Sequence, residues 1–81
     1  MRVSVRLFAR LRDLAGTGEM AAEVAAGATI ADVWSDVVSR HPALAPYSRS
    51  LSAARNLEYA RLTAPVAEAD EIAFLPPVSG G

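Results

Sequence analysis

The sequence predicts an α+β fold, a roll of the β-grasp kind in which a mixed sheet packs against one main helix. Two observations point there. The elements read as strand, strand, helix, then strands, and only the segment from Thr29 to Arg40 carries a helical stripe long enough to cover a sheet. Size agrees with this, because 81 residues, 52% hydrophobic and 21% charged, supply one small core and leave no room for a second.

Residues 2–8 alternate, with Val3, Val5 and Leu7 on one face and Arg2, Ser4, Arg6 and Phe8 on the other, the period of a half-buried strand. Residues 9–15 form a short helix carrying Leu11 and Leu14, stopped by Gly16 where a left-handed cap is wanted. The turn Gly16-Thr17-Gly18 leads into residues 19–25, a strand of small residues returning antiparallel to the first. At Thr29 a capping box opens, with Asp32 three positions on. Ile30, Val33, Trp34, Val37 and Val38 then form one apolar stripe, with Asp32, Ser35, Asp36, Ser39 and Arg40 opposite. His41-Pro42 ends this helix, since proline disfavours helical backbone in the residue before it. Residues 43–50 read as a loop. Strands at 51–55 and 58–62 follow, joined by a turn for which Asn56 is suited, and after a turn at 67–70 the last strand, 71–75, sets Ile72 and Phe74 against Ala73 and Leu75.

Composition narrows the function. With no cysteine and one histidine, neither a disulfide framework nor a clustered metal site is expected. A net charge of −1 gives no overall attraction to nucleic acid. Arginines interrupt the N-terminal residues where an export signal needs an unbroken apolar run, and no segment has the length of a membrane span, so a soluble cytoplasmic protein is expected. All eight basic residues are arginine, so no side chain carries an amine.

Catalytic constellations are also missing. Asp36, Ser39 and His41 are the one local set resembling a nucleophilic triad, but they lie on the polar face and end of a helix with nothing to fix their geometry. Asp70-Glu71 reads as a turn and a strand start, and no glycine precedes a Lys-Ser/Thr pair as a phosphate loop requires. Trp34 belongs to the core stripe, and Arg2 and Arg6 share a solvated strand face.

The informative segment is the C-terminal end, Phe74-Leu75-Pro76-Pro77-Val78-Ser79-Gly80-Gly81. Two prolines stop the strand and favour extended backbone, which divides the chain into a folded domain over residues 1–76 and a tail over 77–81. Fully extended, Pro77 to Gly81 reaches on the order of 16 Å. Two glycines without Cβ atoms let a terminal carboxylate enter a channel closed to bulkier residues. Phe8 and Leu75 fall on outward strand faces, and where first and last strands are neighbours they form an apolar docking surface at the root of this tail.

Over its whole length the chain resembles the MoaD family, the small subunits of molybdopterin synthase, which are ubiquitin-like sulfur carriers. The residues are Val5-Arg6-Leu7-Phe8-Ala9-Arg10-Leu11-Arg12-Asp13, Asn56-Leu57-Glu58-Tyr59, and Asp70 through Gly81 with its Pro-Pro-Val-Ser-Gly-Gly. Thiazole-pathway carriers, the ThiS proteins, share the fold and the Gly-Gly but usually lack the double proline. The resemblance implies that Gly81 is adenylated from ATP by a MoeB-like partner and converted with a sulfurtransferase to a thiocarboxylate. It further implies insertion into a MoaE-like large subunit, where sulfur passes to cyclic pyranopterin monophosphate to build the molybdopterin dithiolene. Pro77, Val78, Ser79 and Gly80 carry the tail role, while Phe8, Tyr59 and Leu75 correspond to the docking region. The resemblance implies no bound cofactor, an assembly of two small and two large subunits as a heterotetramer, and a non-catalytic role for this subunit with the chemistry residing on the large one. In two places the chain departs from the family. Ala69 stands where glycine is common, costing about 1 kcal/mol if that turn needs positive φ, and Arg55 replaces an apolar residue before Asn56.

Other readings remain. A ubiquitin-like modifier would join Gly81 to a lysine of another protein, although lysine-linked chains of this protein are excluded by its lack of lysine. A carrier for another pathway, such as thiazole synthesis, uses the same tail, whereas a β-grasp binding module would leave the tail inert.

Overall fold

The computed structural model describes residues 1–77. Val78, Ser79, Gly80 and Gly81, on which the expected tail function falls, lie outside the described residues. The elements are β1 (Arg2–Leu7), α1 (Ala9–Ala15), β2 (Glu19–Glu23), α2 (Ile30–Arg40), a 3₁₀ helix (Pro42–Tyr47), β3 (Ser52–Arg55), β4 (Glu58–Ala60) and β5 (Glu71–Leu75). The strands form one sheet in the order β2-β1-β5-β3-β4. Only β1 and β5 run parallel; the other neighbours are antiparallel. This is the mixed β-grasp sheet that the order of elements predicts, with first and last strands side by side.

Strand alternation builds the core. Val3, Val5 and Leu7 of β1, Ala22 of β2, Ala53 of β3 and Ile72 and Phe74 of β5 are buried on the face that meets Ile30, Val33, Trp34 and Val37 of α2. The Trp34 and Phe74 ring centroids lie 4.9 Å apart at 60°, a tilted contact that adds to the ~1.5–3 kcal/mol gained by burying such a side chain.

The caps behave as the sequence predicts. Thr29 and Asp32 form a reciprocal capping box, and Gly16 closes α1 at φ 77°, its N–H donating to Arg12 O at 2.9 Å. Strand lengths differ from expectation for identifiable reasons. β2 stops at Glu23 because β1 ends opposite it, the last link being Val24 N–H to Met1 O at 2.9 Å. β4 stops at Ala60 because the following chain turns to the start of α2, where Leu62 O accepts from Ala31 N–H and Ala64 O from Ile30 N–H. Those donors are among the four that every helix leaves open at its N-terminus.

Residues expected to form a loop after α2 instead make the 3₁₀ helix, with Pro42 in its first turn and Leu44 fully buried. Proline fits there because its fixed φ is already helical and its missing N–H is not needed. Ser48, at the end of this helix, accepts from Trp34 Nε1 at 2.9 Å, so the indole is both packed and satisfied. At the outer edge of the sheet, Arg40 Nη2 donates to Ala21 O of β2 at 2.9 Å while the same nitrogen meets Asp36 Oδ2 at 2.7 Å.

Candidate functional site

The sheet face turned away from α2 carries the side chains expected for docking. Its strand register places Glu19, Arg6, Ala73, Ala54 and Tyr59 in one row across all five strands. The middle of the row is therefore a floor of two alanines, bounded by Arg6 on one side and by Tyr59, 81% exposed, on the other. One step toward the end of β5, Leu75 pairs with Ser52. Leu75 lies on the outward face, as alternation predicts, but is half-buried, whereas Phe8 is 39% exposed.

Phe8 reaches this face by a route that alternation does not foresee. It lies just beyond β1, as the extended N-cap residue of α1, and Ala9 after it has φ 51°. This left-handed alanine reverses the chain from strand to helix and leaves Phe8 at the corner. The Arg6 guanidinium carbon sits 5.8 Å from the centre of the Phe8 ring, a cation–π distance. Since Leu7 pairs with Phe74, Phe8 is level with Leu75, beside the point where Pro76 and Pro77 leave the sheet.

At the other end of β5 two tight turns meet. In the β3–β4 hairpin Asn56 and Leu57 have φ of 50° and 73°, the two left-handed residues that a type I′ turn needs. Leu57 is 90% exposed, and patterning does not mark it, since a leucine in a turn gives no periodic signal. Ala69 also has φ 69°, so the turn for which the family commonly uses glycine does require the left-handed region here. Asp70 anchors that turn. Its carboxyl is held below the usual carboxylate range by the Asn56 side chain and then the Ala67 N–H, with Arg55 adding attraction against a small opposing effect of burial. Arg55 itself donates to Pro65 O, which accounts for an arginine in a usually apolar place.

The triad-like set has no catalytic geometry. Ser39 Oγ donates to the Asp36 backbone carbonyl, and the Asp36 carboxylate pairs with Arg40. Among the described residues there is no group of three or more side chains suited to a metal ion, and no helix long and apolar enough to cross a membrane. Arg2 and Arg6 face Glu23 and Glu19 across the β1–β2 ladder at 3.4 and 3.6 Å. What remains is the outward sheet face of Arg6, Ala73, Ala54 and Tyr59, with Phe8 and Leu75 beside the root of the tail.

Comparisons with known proteins agree with the fold. Residues 5–81 match the ThiS family. Over 83 aligned residues, covering all of both chains, the protein is 36% identical to the molybdopterin synthase sulfur carrier subunit of Chlamydomonas reinhardtii. It superimposes on the crystal structure of small archaeal modifier protein 1 from Haloferax volcanii with a TM-score of 0.87 at 35% identity, covering all of both chains. A crystal structure of the Amycolatopsis orientalis BexX/CysO complex contains a similar chain, 30% identical with a TM-score of 0.70, covering 98% of this chain and 99% of that one.

Proposed function

The chain belongs to the ThiS family, and on that premise we propose that it is the sulfur carrier subunit of a molybdopterin synthase. The observation that carries this reading is where the tail begins. β5 is hydrogen-bonded on both sides, to β1 and β3, so Pro76 and Pro77 emerge from a fixed point at the docking face rather than from a fraying edge. Full-length similarity to curated sulfur carrier subunits supports the same reading.

A carboxylate is a poor electrophile. An adenylating partner overcomes this when the Gly81 carboxylate oxygen attacks the α-phosphorus of ATP, releasing pyrophosphate and leaving an acyl-AMP. The persulfide of a sulfurtransferase displaces AMP to give an acyl disulfide, and a thiol then cleaves the S–S bond, ending as a disulfide with the sulfurtransferase cysteine and leaving Gly81 as a thiocarboxylate. Gly80 and Gly81 then carry that sulfur into the large subunit, where it passes to cyclic pyranopterin monophosphate. This chain's part is binding and positioning: Phe8, Tyr59 and Leu75 hold the partner, the alanine floor of Ala54 and Ala73 lets it approach the sheet, and Pro77, Val78 and Ser79 span the distance to the reacting centre. The catalytic groups belong to the partners.

Intact-mass spectrometry of the protein from its native cells tests the reading, which expects one carboxylate oxygen of Gly81 replaced by sulfur. A population joined through Gly81 to lysines of other proteins, with no thiocarboxylate, would replace it with the modifier reading. That second reading has one specific support, the similarity to a small archaeal modifier protein over 94% of this chain.

A further inference from the structure

Beside Phe8 the surface opens into a recess of about 360 Å³ lined by Arg6, Leu7, Phe8, Arg12, Thr17, Gly18 and Glu19. Two guanidinium groups border it, that of Arg6 only partly satisfied and that of the exposed Arg12 turned to solvent. Arg6 meets Glu19 only at 3.6 Å, long beside the ~2.7–2.9 Å of a charge-assisted hydrogen bond, and its Nε is buried without a hydrogen-bond partner. Arg12 forms no ion pair among the described residues. Its side chain lies against Gly18, where a Cβ would come within 3.2 Å of Cδ and Nε, so the absence of a side chain at 18 leaves room for the arginine's present path. Thr17 is already occupied, its hydroxyl donating to Glu19 O.

A buried guanidinium nitrogen without an acceptor is costly, and the cost is recovered when an acceptor arrives. The matching group is a carboxylate, which can bond two guanidinium donors at once and gains from the low-polarity wall that Phe8 supplies. The recess adjoins the row of Arg6, Ala73, Ala54 and Tyr59, so whatever covers that face also covers its mouth. We propose that the Arg6–Arg12 recess receives an aspartate or glutamate side chain of the large subunit that takes up the tail. Glu19 is the internal competitor, holding Arg6 loosely until the partner's carboxylate enters. This inference rests on the sulfur carrier reading and adds to it an electrostatic key beside the apolar contacts.

The test is calorimetric titration of the large subunit from the same organism into the full chain at low and moderate salt. Arg12→Gln is expected to weaken binding by about tenfold at low salt and to flatten its salt dependence, while Glu19→Gln, which removes the competitor, tightens it. Arg6→Gln should resemble Arg12→Gln, with circular dichroism verifying that each variant is folded. Wild-type affinity of Arg12→Gln at both salt concentrations would overturn the recess and leave the sulfur carrier reading standing. Absence of any binding by the wild-type chain would instead overturn that reading, and the recess with it.

Discussion

Asn56 grips Asp70 across the gap between two turns. Its Nδ2 donates to Asp70 Oδ1 at 3.0 Å while its Oδ1 accepts from the Glu71 N–H at 2.9 Å. Asp70 Oδ2 in turn accepts from Ala67 N–H at 2.8 Å. One carboxylate thus fixes the β3–β4 hairpin to the turn that launches β5, the strand from which the tail leaves.

Stability should therefore depend on Asp70 ionisation. Its pKa is lowered in the folded chain, first by the Asn56 hydrogen bond, so its contribution is complete above the ordinary carboxylate range and is lost as pH falls below about 4 through the lowered value. Urea denaturation of wild type and Asp70→Asn should show the variant less stable near neutrality and the difference shrinking in acid. A difference that stays constant down to about pH 2 would mean that the carboxylate's charge is irrelevant to the turn.

Ala69 occupies the left-handed region at φ 69°, a conformation that costs an L-residue roughly 1–2 kcal/mol. Ala69→Gly should raise stability by about 1 kcal/mol, part of the relief being offset by greater freedom in the unfolded chain. Gly16→Ala, at φ 77° with open space around it, should do the reverse. Denaturant midpoints measure both.

Docking should respond to the face, not to the core. Phe8→Asp and Ala54→Arg should each weaken binding to the large subunit by more than about 1 kcal/mol, the first by losing an apolar anchor and the second by obstructing the floor. Leu75→Asp will also lower stability because Leu75 is half-buried, so its binding effect is interpretable only beside a thermal melt. Unchanged affinity of Phe8→Asp in surface plasmon resonance would move the interface elsewhere.

Removal of Gly81 should abolish sulfur transfer while leaving the melting temperature and large-subunit affinity close to wild type, because the core and the outward face are built from residues up to Leu75. Reconstituted synthesis of molybdopterin from its pyranopterin precursor is the readout. Transfer by the truncated chain would show that sulfur travels on another group.

Much of this was legible in the residues. The Thr29–Asp32 box, the Ile30-to-Val37 stripe, the Gly16 cap and the alternation of β1 and β5 are local signals, and each stands where the pattern puts it. Patterning could not reveal the left-handed Ala9 and Leu57, because nothing in an alanine or leucine favours positive φ; tertiary pairing on either side imposes it. The Arg6-to-Tyr59 row was hidden for a different reason. It joins residues from four strands across long sequence separations, and only the register brings them level.

Arg40 has a wider role than closing α2. Exposed strand edges invite pairing with a neighbouring chain, a common seed of aggregation. On one flank of this sheet, the Ala21 carbonyl that an intruding strand would seek is already taken by the Arg40 guanidinium, which Asp36 steadies. On the opposite flank, β4 offers only three residues. Both flanks of the sheet are thus guarded against edge-to-edge pairing with copies of the same chain.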